Sequence, residues 1–283
     1  LFLKTQGFNE IINIIIKIKN CFKMNIELAK KVAKEAVRDA GKLLMESFNK
    51  LDSFSLKGKS DIVTEVDLKS ESLIMDLIKN NFPDHSILSE EAGFIKNNEK
   101  YIWVIDPIDG TINYYYGMAP FRVALCLLED KKPIISAIYN PVKDHLYFAK
   151  KGEGATLNGG KIMVSSNDDL KNSIVMTHLS SKKEARIRTI SVLDSIFDKS
   201  MHMRMFGSGI AAMTYVASGK FDVFFVVSTH AYAWDILPGA LLIEEAGGMV
   251  TDLKGDNATL ETASVLATNG KVHKEMLRLL ENA

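Results

Sequence analysis

The sequence predicts a mixed protein, α+β in its first half and α/β in its second. Three observations carry that reading. Apolar residues recur at helical spacing from Asn25 to Asn49. Three apolar runs, YIWVID, FRVALCLLED and PIISAIYN, then follow with turn residues between them. Beyond Ser165 strand-like and helix-like stretches alternate, the rhythm of an α/β layer.

In the first helix Ile26, Ala29, Val32, Ala33, Ala36, Val37, Ala40, Leu44 and Phe48 share one face, with lysines and glutamates on the other. After the turn-like KGKSD (57–61) and DIVTEVD, a second helix turns Leu73, Ile74, Leu77 and Ile78 inward. Pro83 ends it, because a proline has no N–H to continue the ladder. Asp130-Lys131-Lys132 reads as a hairpin connection, and LYFAKKGEGATLNGGKI, broken by glycine and asparagine, as another strand pair. In the second half SIVMTHL and FDVFFVV read as strands, EARIRTISVLDSIF and GSGIAAMTYVASG as helices. DILPGALLIEEAGG is a helix whose glycine pair suits a C-cap, followed by short strands MVTD and SVLATN and a terminal helix. A soft boundary near Ser165 divides a 24–164 half from a 165–283 half. No linker marks it, so a large shared interface is expected.

Composition narrows the function classes. The 283 residues are 47% apolar, enough to fill a core. Lysine plus arginine equals aspartate plus glutamate at 35 each, so no overall field recruits nucleic acid or an anionic membrane. Cys21 and Cys126 form no CxxC and no disulfide framework, as in a reduced, cytoplasmic chain. The six histidines are scattered without metal-binding spacing, which argues against zinc. Residues 1–23 are isoleucine-rich but interrupted by Asn13, Lys17 and Lys19, too short to span a bilayer and without a small-residue cleavage site. They are expected to be an extension outside the fold.

Four acidic stretches fall at element ends: Asp67 in TEVD, Glu90-Glu91 in LSEEAG, Asp106 and Asp109 in WVIDPIDGTINY, and Asp235 in AWDILPG. Any one alone reads as a helix cap or a solvated charge; Asp235 makes a good N-cap and Glu91 an exposed side chain. Asp106 and Asp109 are different. If Asp106 ends a buried strand and Asp109 follows a short bend, both carboxylates and the Ile108 carbonyl can aim at one point. Carboxylates that close cannot all stay ionised unless a cation joins them, and an all-oxygen set points to Mg²⁺ or Mn²⁺. Gly110 lets a phosphate oxygen approach the backbone, and Thr111 can orient a water or donate to phosphate. Haloacid dehalogenase-type phosphatases carry a comparable Asp and DGT, but in D-x-D spacing. The D-x-x-D here suits two ligands sharing metals, with a water attacking in line.

WVIDPIDGTINY, preceded by SDIVTEVD and LSEEAG and followed by GSGIAAMTYVASGKFDVFF and WDILPGALLIEEAGG, resembles the inositol monophosphatase family of Mg²⁺-dependent, lithium-sensitive sugar-phosphate phosphatases. The match runs in family order from about Met24 to the C-terminus. The resemblance implies a layered α-β-α-β-α sandwich of the sugar-phosphatase type, usually a homodimer, with the active site between the halves. It implies that Glu90 holds a metal and helps activate water, that Asp106 bridges two metals, that the Ile108 carbonyl binds one, and that Asp109 and Asp235 bind the second. Gly110 and Thr111 would take phosphate on backbone N–H groups, with the Thr111 hydroxyl and Asp67 polarising the attacking water. Gly207, Ser208 and Gly209 match the segment that touches the organic part of the substrate, and Lys57 matches a lysine near the active-site loop. The expected function is hydrolysis of a small phosphorylated polyol, sugar or nucleotide, with no nucleic-acid polymer or membrane as partner. The competing expectation is a non-catalytic sensor or scaffold on the same fold. Animal relatives carry a glutamate seven residues before the aspartate of the WD motif to bind inositol hydroxyls. Here that position is Ser228, so inositol 1-phosphate is expected to be a mediocre substrate.

Overall fold

The computed structural model describes residues 24–51, 53–57, 62–180, 182–227 and 232–281. The 1–23 extension, the 58–61 part of KGKSD and Ser228 lie outside the described residues.

In chain order the elements are α1 (Ile26–Ser47), β1 (Ser55–Leu56), β2 (Ile62–Val63), α2 (Glu65–Asn81), β3 (His85–Ser89), β4 (Gly93–Ile95), β5 (Asn98–Asp109) and the single turn α3 (Thr111–Tyr115). They continue with β6 (Arg122–Glu129), β7 (Lys132–Asn140), β8 (His145–Lys150), β9 (Gly154–Leu157), β10 (Gly160–Lys161) and β11 (Ile174–Thr177). The chain then forms α4 (Lys183–Lys199), β12 (His202–Arg204), α5 (Gly209–Ala217), β13 (Val223–Val226), α6 (Ala233–Glu245), β14 (Met249–Thr251), β15 (Val265–Thr268) and α7 (His273–Leu280).

Local chemistry explains the boundaries. The Asn25 side chain accepts from the Leu28 N–H at 3.0 Å and starts α1. Asp130 and Lys131 both take positive φ (48° and 63°), the backbone that joins β6 to β7 in a two-residue hairpin. Gly247, at φ +91°, follows the end of α6 where a side chain would be strained.

β3 to β10 form an eight-stranded sheet in the order β10-β9-β8-β7-β6-β5-β3-β4, antiparallel except for β3 beside β5. β11 to β15 form a five-stranded sheet in the order β12-β11-β13-β15-β14. Helices α1 and α2 cover one face of the large sheet, packing Ala33, Ala36, Val37 and Ile74 against Trp103, Ile105, Leu125 and Leu127. α5 and α6 lie between the sheets: Ile210, Met213, Leu241 and Ile243 meet Ala124, Ile138 and Tyr147 on one side and Phe224, Val226, Val265 and Ala267 on the other. α4 and α7 close the far face of the small sheet through Val192, Ile196, Met276 and Leu280. The layering is therefore α-β-α-β-α, as expected. The two central helices touch closely; a Cβ on Gly239 of α6 would sit 2.5 Å from Met213 Sδ of α5.

Two features differ from the sequence reading. The short strands β1, β2, β3, β4 and β12 have no counterpart in that reading, because two to five residues are too few for a period to show. The strand carrying Trp103 does not stop at Asp106; β5 runs through Pro107 to Asp109.

Candidate active site

The extension of β5 through Pro107 explains the D-x-x-D spacing. In a regular strand residues three apart face opposite sides of the sheet. Here Asp106 pairs with Ala124 and Asp109 with Arg122, so three steps along β5 match two along β6. The extra residue is a β-bulge, and it flips the alternation once. Ile105 and Ile108 both enter the core under α1 and α2. That leaves Asp106 and Asp109 on the opposite face, toward α5 and α6. Proline fits at such a point because the bulge leaves its missing N–H without a ladder partner.

Both aspartates are buried, Asp106 1% and Asp109 8% exposed, but they are satisfied differently. Asp109 accepts from the Ser208 hydroxyl, the Gly209 N–H at 3.1 Å and the Ala211 N–H at 3.2 Å, and so caps the start of α5 from another part of the chain. Asp106 Oδ1 has no hydrogen-bond partner among the described residues. Burial pushes the Asp106 carboxyl well above its usual range, and the charges of Glu90, Asp109, Asp235 and Asp67 push it further. Burial also raises Asp109, which Ser208, the α5 backbone and the Arg122 charge partly offset.

The other predicted residues gather around this pair. Asp67 occupies the third position of α2 in a capping box with Thr64, accepting the Thr64 N–H at 2.8 Å and its hydroxyl at 2.6 Å. Its second oxygen faces the Thr111 hydroxyl at 3.0 Å, and Thr111 Oγ1 lies equally close, 3.0 Å, to the Ile108 carbonyl. Cap and site residue are thus one side chain. Gly110 has φ +88°, and a Cβ there would meet the Pro120 carbonyl at 2.8 Å, so only glycine fits.

Glu90 accepts from Lys57 Nζ at 2.9 Å, and Lys57 also pairs with Glu91. Glu91 is therefore an ion-pair partner and not the exposed charge expected. Burial lifts Glu90 to about 8, with Asp235 raising it and Lys57 opposing. Burial would lower Lys57, but the two glutamates reverse that and leave it raised. Asp235 is not the N-cap of α6. It sits three residues further in and accepts the Tyr232 N–H at 2.9 Å. Ser208 is the N-cap of α5, between Gly207 (φ +68°) and Gly209.

Two further residues hold this arrangement and were not singled out in the sequence. Glu71, 4% exposed, takes the Ser89 hydroxyl and the Glu91 and Ala92 N–H groups, both at 3.0 Å, on one oxygen. It anchors the loop that carries Glu90. It lies one helical turn after Asp67, a spacing that could have flagged it. Asn113 bonds the Pro120 and Phe206 carbonyls, each at 2.7 Å, tying the α3 turn to the Gly207 segment. No local pattern announces that role.

Among the described residues no three of these carboxylates converge on one point at ligand spacing. Asp109, Glu90 and Asp235 are each turned to an internal donor. The donor set nevertheless fits a hard divalent cation: it is all oxygen, and the buried, unpartnered Asp106 Oδ1 is an acceptor that only a donor or a cation would satisfy.

A model of the inositol monophosphatase family matches residues 25–283. The chain is 34% identical over 250 residues to the Nus factor SuhB of Escherichia coli K12, covering 87% of this chain and 93% of that protein. The SuhB crystal structure of Bartonella henselae superposes with a TM-score of 0.86 at 28% identity, over 90% of this chain and 98% of the other. A Thermotoga maritima inositol monophosphatase structure superposes with a TM-score of 0.81 at 31% identity, over 90% and 96%.

Proposed function

The chain belongs to the inositol monophosphatase family, and from that premise we propose that it is a Mg²⁺-dependent phosphomonoesterase acting on a small phosphorylated polyol, sugar or nucleotide. The observation that carries the reading is the bulged Asp106–Asp109 pair with its orphaned oxygen, beside a backbone that only Gly110 can adopt. Mg²⁺ held by Glu90, Asp106, the Ile108 carbonyl, Asp109 and Asp235 would supply the Lewis acidity that makes water nucleophilic and offsets charge on the leaving oxygen.

The chain's own groups do the rest. The first turn of α3 offers the Gly110 and Thr111 N–H groups to the phosphate. The Thr111 hydroxyl donates to Asp67 and keeps its lone pairs for the attacking water, so that water's proton can pass through Thr111 Oγ to Asp67 Oδ1. Burial has already raised Asp67, which suits it to hold that proton. Water attacks phosphorus directly and no covalent phosphoenzyme forms. Gly207, Ser208 and Gly209 border the leaving group. The reading includes a cytoplasmic homodimer, inhibited by lithium as the family resemblance implies. Among the described residues no helix is long and apolar enough to cross a membrane.

The substrate range is supported by two solved neighbours, both SaIMPase-II, one bound to inositol monophosphate and one to 2′AMP, at 25% and 27% identity. A second reading rests on the name of the E. coli relative: a Nus factor suggests a non-catalytic role on the same fold. One assay separates them. Phosphate release from inositol 1-phosphate, 2′-AMP and fructose 1,6-bisphosphate is measured with Mg²⁺ and with EDTA. Mg²⁺-dependent turnover of any of them supports the enzyme. No turnover of all three, by a folded protein, leaves the non-catalytic reading.

A further inference from the structure

Helix α6 enters the site with two aromatic rings at its start. Tyr232 is its N-cap and Asp235 its third residue, and the Tyr232 N–H donates to the Asp235 carboxylate at 2.9 Å. Residues three apart at a helix start lie on one side, with about 5–6 Å between Cβ atoms. The Tyr232 side chain therefore stands one turn from a carboxylate of the site. The Tyr232 and Trp234 rings are stacked, with centres 4.7 Å apart and planes 12° from parallel. Trp234 is the anchored member. It and Leu88, two residues before Glu90, pack on the cluster of Ile102, Val104, Ala233 and Leu237. Tyr232 is the outer member. One face of its ring lies on Trp234, yet 52% of the residue is exposed, so the opposite face is open. Stacking on an anchored ring fixes the plane of Tyr232 before anything binds, which lowers the ordering cost of a ligand on its outer face.

We propose that this outer face is a nucleobase platform: Tyr232 stacks the base of a nucleoside monophosphate whose phosphate takes the α3 turn, and so makes a nucleotide the preferred substrate. The inference rests on the phosphatase reading above and narrows its substrate class. The chemistry of the rings favours a base over a polyol. Every base has a π-face that extends a Trp–Tyr stack, and a neutral base brings no further charge beside Asp235 and Glu90. A polyol turns hydroxyls in every direction, and each one laid on an aromatic face gives up a hydrogen bond to water. Tyr232 is thus a specificity-determining residue, and Trp234 holds the plane of its ring.

The test is phosphate release in Mg²⁺ from 2′-AMP, 3′-AMP and inositol 1-phosphate by the parent, Tyr232→Phe, Tyr232→Leu and Tyr232→Gln. Leucine and glutamine fill the space over Trp234 without a π-face, and either carries the comparison if the other does not fold. Loss of one base–aromatic stack corresponds to roughly 5- to 150-fold. The parent should prefer the better of the two nucleotides to inositol 1-phosphate. In the Leu and Gln variants kcat/KM for that nucleotide should fall at least about tenfold further than for inositol 1-phosphate, mainly through KM. Tyr232→Phe, which keeps the ring, should hold the ratio within about threefold of the parent. Saturation-transfer NMR with millimolar adenosine in EDTA reads the same stack without metal, phosphate or turnover. Transfer to the base protons should be clear in the parent and in Tyr232→Phe, and at least about threefold weaker in Tyr232→Leu. Equal losses on nucleotide and inositol 1-phosphate, or a parent that hydrolyses inositol 1-phosphate and neither nucleotide, overturns the platform and leaves the phosphatase standing. Adenosine transfer as strong in Tyr232→Leu as in the parent overturns it as well. A parent that hydrolyses none of the three esters overturns the phosphatase reading and this inference with it.

Discussion

Replacing Asp109 and Asp106 by asparagine should abolish the same activity but move metal-free stability in opposite directions. Crowded carboxylates suggest at first that losing any one of them relieves repulsion. Asp109 departs from that because its carboxylate serves three donors at the start of α5. Asparagine keeps one oxygen, which can still take the Gly209 N–H, but its amide group cannot accept from Ala211 or Ser208. Ala211 retains the Ser208 hydroxyl at 3.3 Å as a second acceptor, so the net loss is one charge-assisted bond, about 1.5–3 kcal/mol. The negative charge at the helix start adds about 0.3–1 kcal/mol, and release of the cost of burying that charge, the largest influence on the Asp109 carboxyl, subtracts part of the total. Asp109→Asn should therefore cost about 1–3 kcal/mol in EDTA, a Tm lower by roughly 2–8 °C for a chain of this size. Asp106→Asn removes a carboxylate whose Oδ1 has no partner and whose neighbours are acidic. Its Tm in EDTA should equal or exceed the parent's. Both variants should lose most of the stabilisation that saturating Mg²⁺ gives the parent, about 2.7 kcal/mol at a hundred times Kd, and at least ~100-fold in kcat. Thermal and urea unfolding in EDTA and in Mg²⁺, with phosphate release on the same samples, provide every number. Equal destabilisation by both substitutions, or near-normal turnover of either at saturating Mg²⁺, would refute the division of labour between the two aspartates.

Three further outcomes are expected. Glu71→Ala leaves the Glu91 and Ala92 N–H groups without their acceptor; stability should fall by at least about 2 kcal/mol and the Mg²⁺ concentration for half activity should rise, and a change in neither removes Glu71 as the anchor of the Glu90 loop. His273 is buried between the Thr251 and Thr268 hydroxyls, at 3.0 and 2.9 Å, and Thr251 already donates to the Asp252 carbonyl. Nε2 therefore carries the proton, Nδ1 accepts, and burial lowers the pKa to about 4. The unfolded chain binds this proton at about 6.5 and the folded chain does not. The stability contributed is therefore present above pH 6.5 and lost as pH falls toward 4, by up to about 3 kcal/mol. Urea midpoints of the parent should fall more steeply over that range than those of His273→Gln, and parallel curves contradict the assignment. Finally, Ser228→Glu should raise kcat/KM for inositol 1-phosphate by roughly 10- to 150-fold, the worth of a charged hydrogen bond to substrate hydroxyls; a parent that already prefers inositol 1-phosphate, with no gain in the variant, disposes of the specificity argument.

The amino-acid sequence by itself determined the elements whose periodicity is long enough to read and the identity of the acids. The α1 face, the β6–β7 hairpin, the central helices and the chain's family are all visible in residue order, because spacing along one element is local information. So are the residue types of WVIDPIDGTINY: two carboxylates, a glycine and a threonine are the groups on which the proposed cation and phosphate site draws. What the tertiary structure decided is which face each group takes and what it touches. Asp106 and Asp109 share a side only because β6 pairs one residue short across the bulge. Asp109 caps a helix whose first N–H lies 100 positions later in the chain, and Asp235 is the third residue of its helix and not the cap. Glu71 and Arg122 look like an ordinary helix glutamate and a strand-end arginine until the fold places one under the Glu90 loop and the other opposite Asp109. The physical reason is the same in each case. Propensity and periodicity act between near neighbours, whereas burial, charge pairing and bulge register depend on a second stretch of chain that only packing brings into contact.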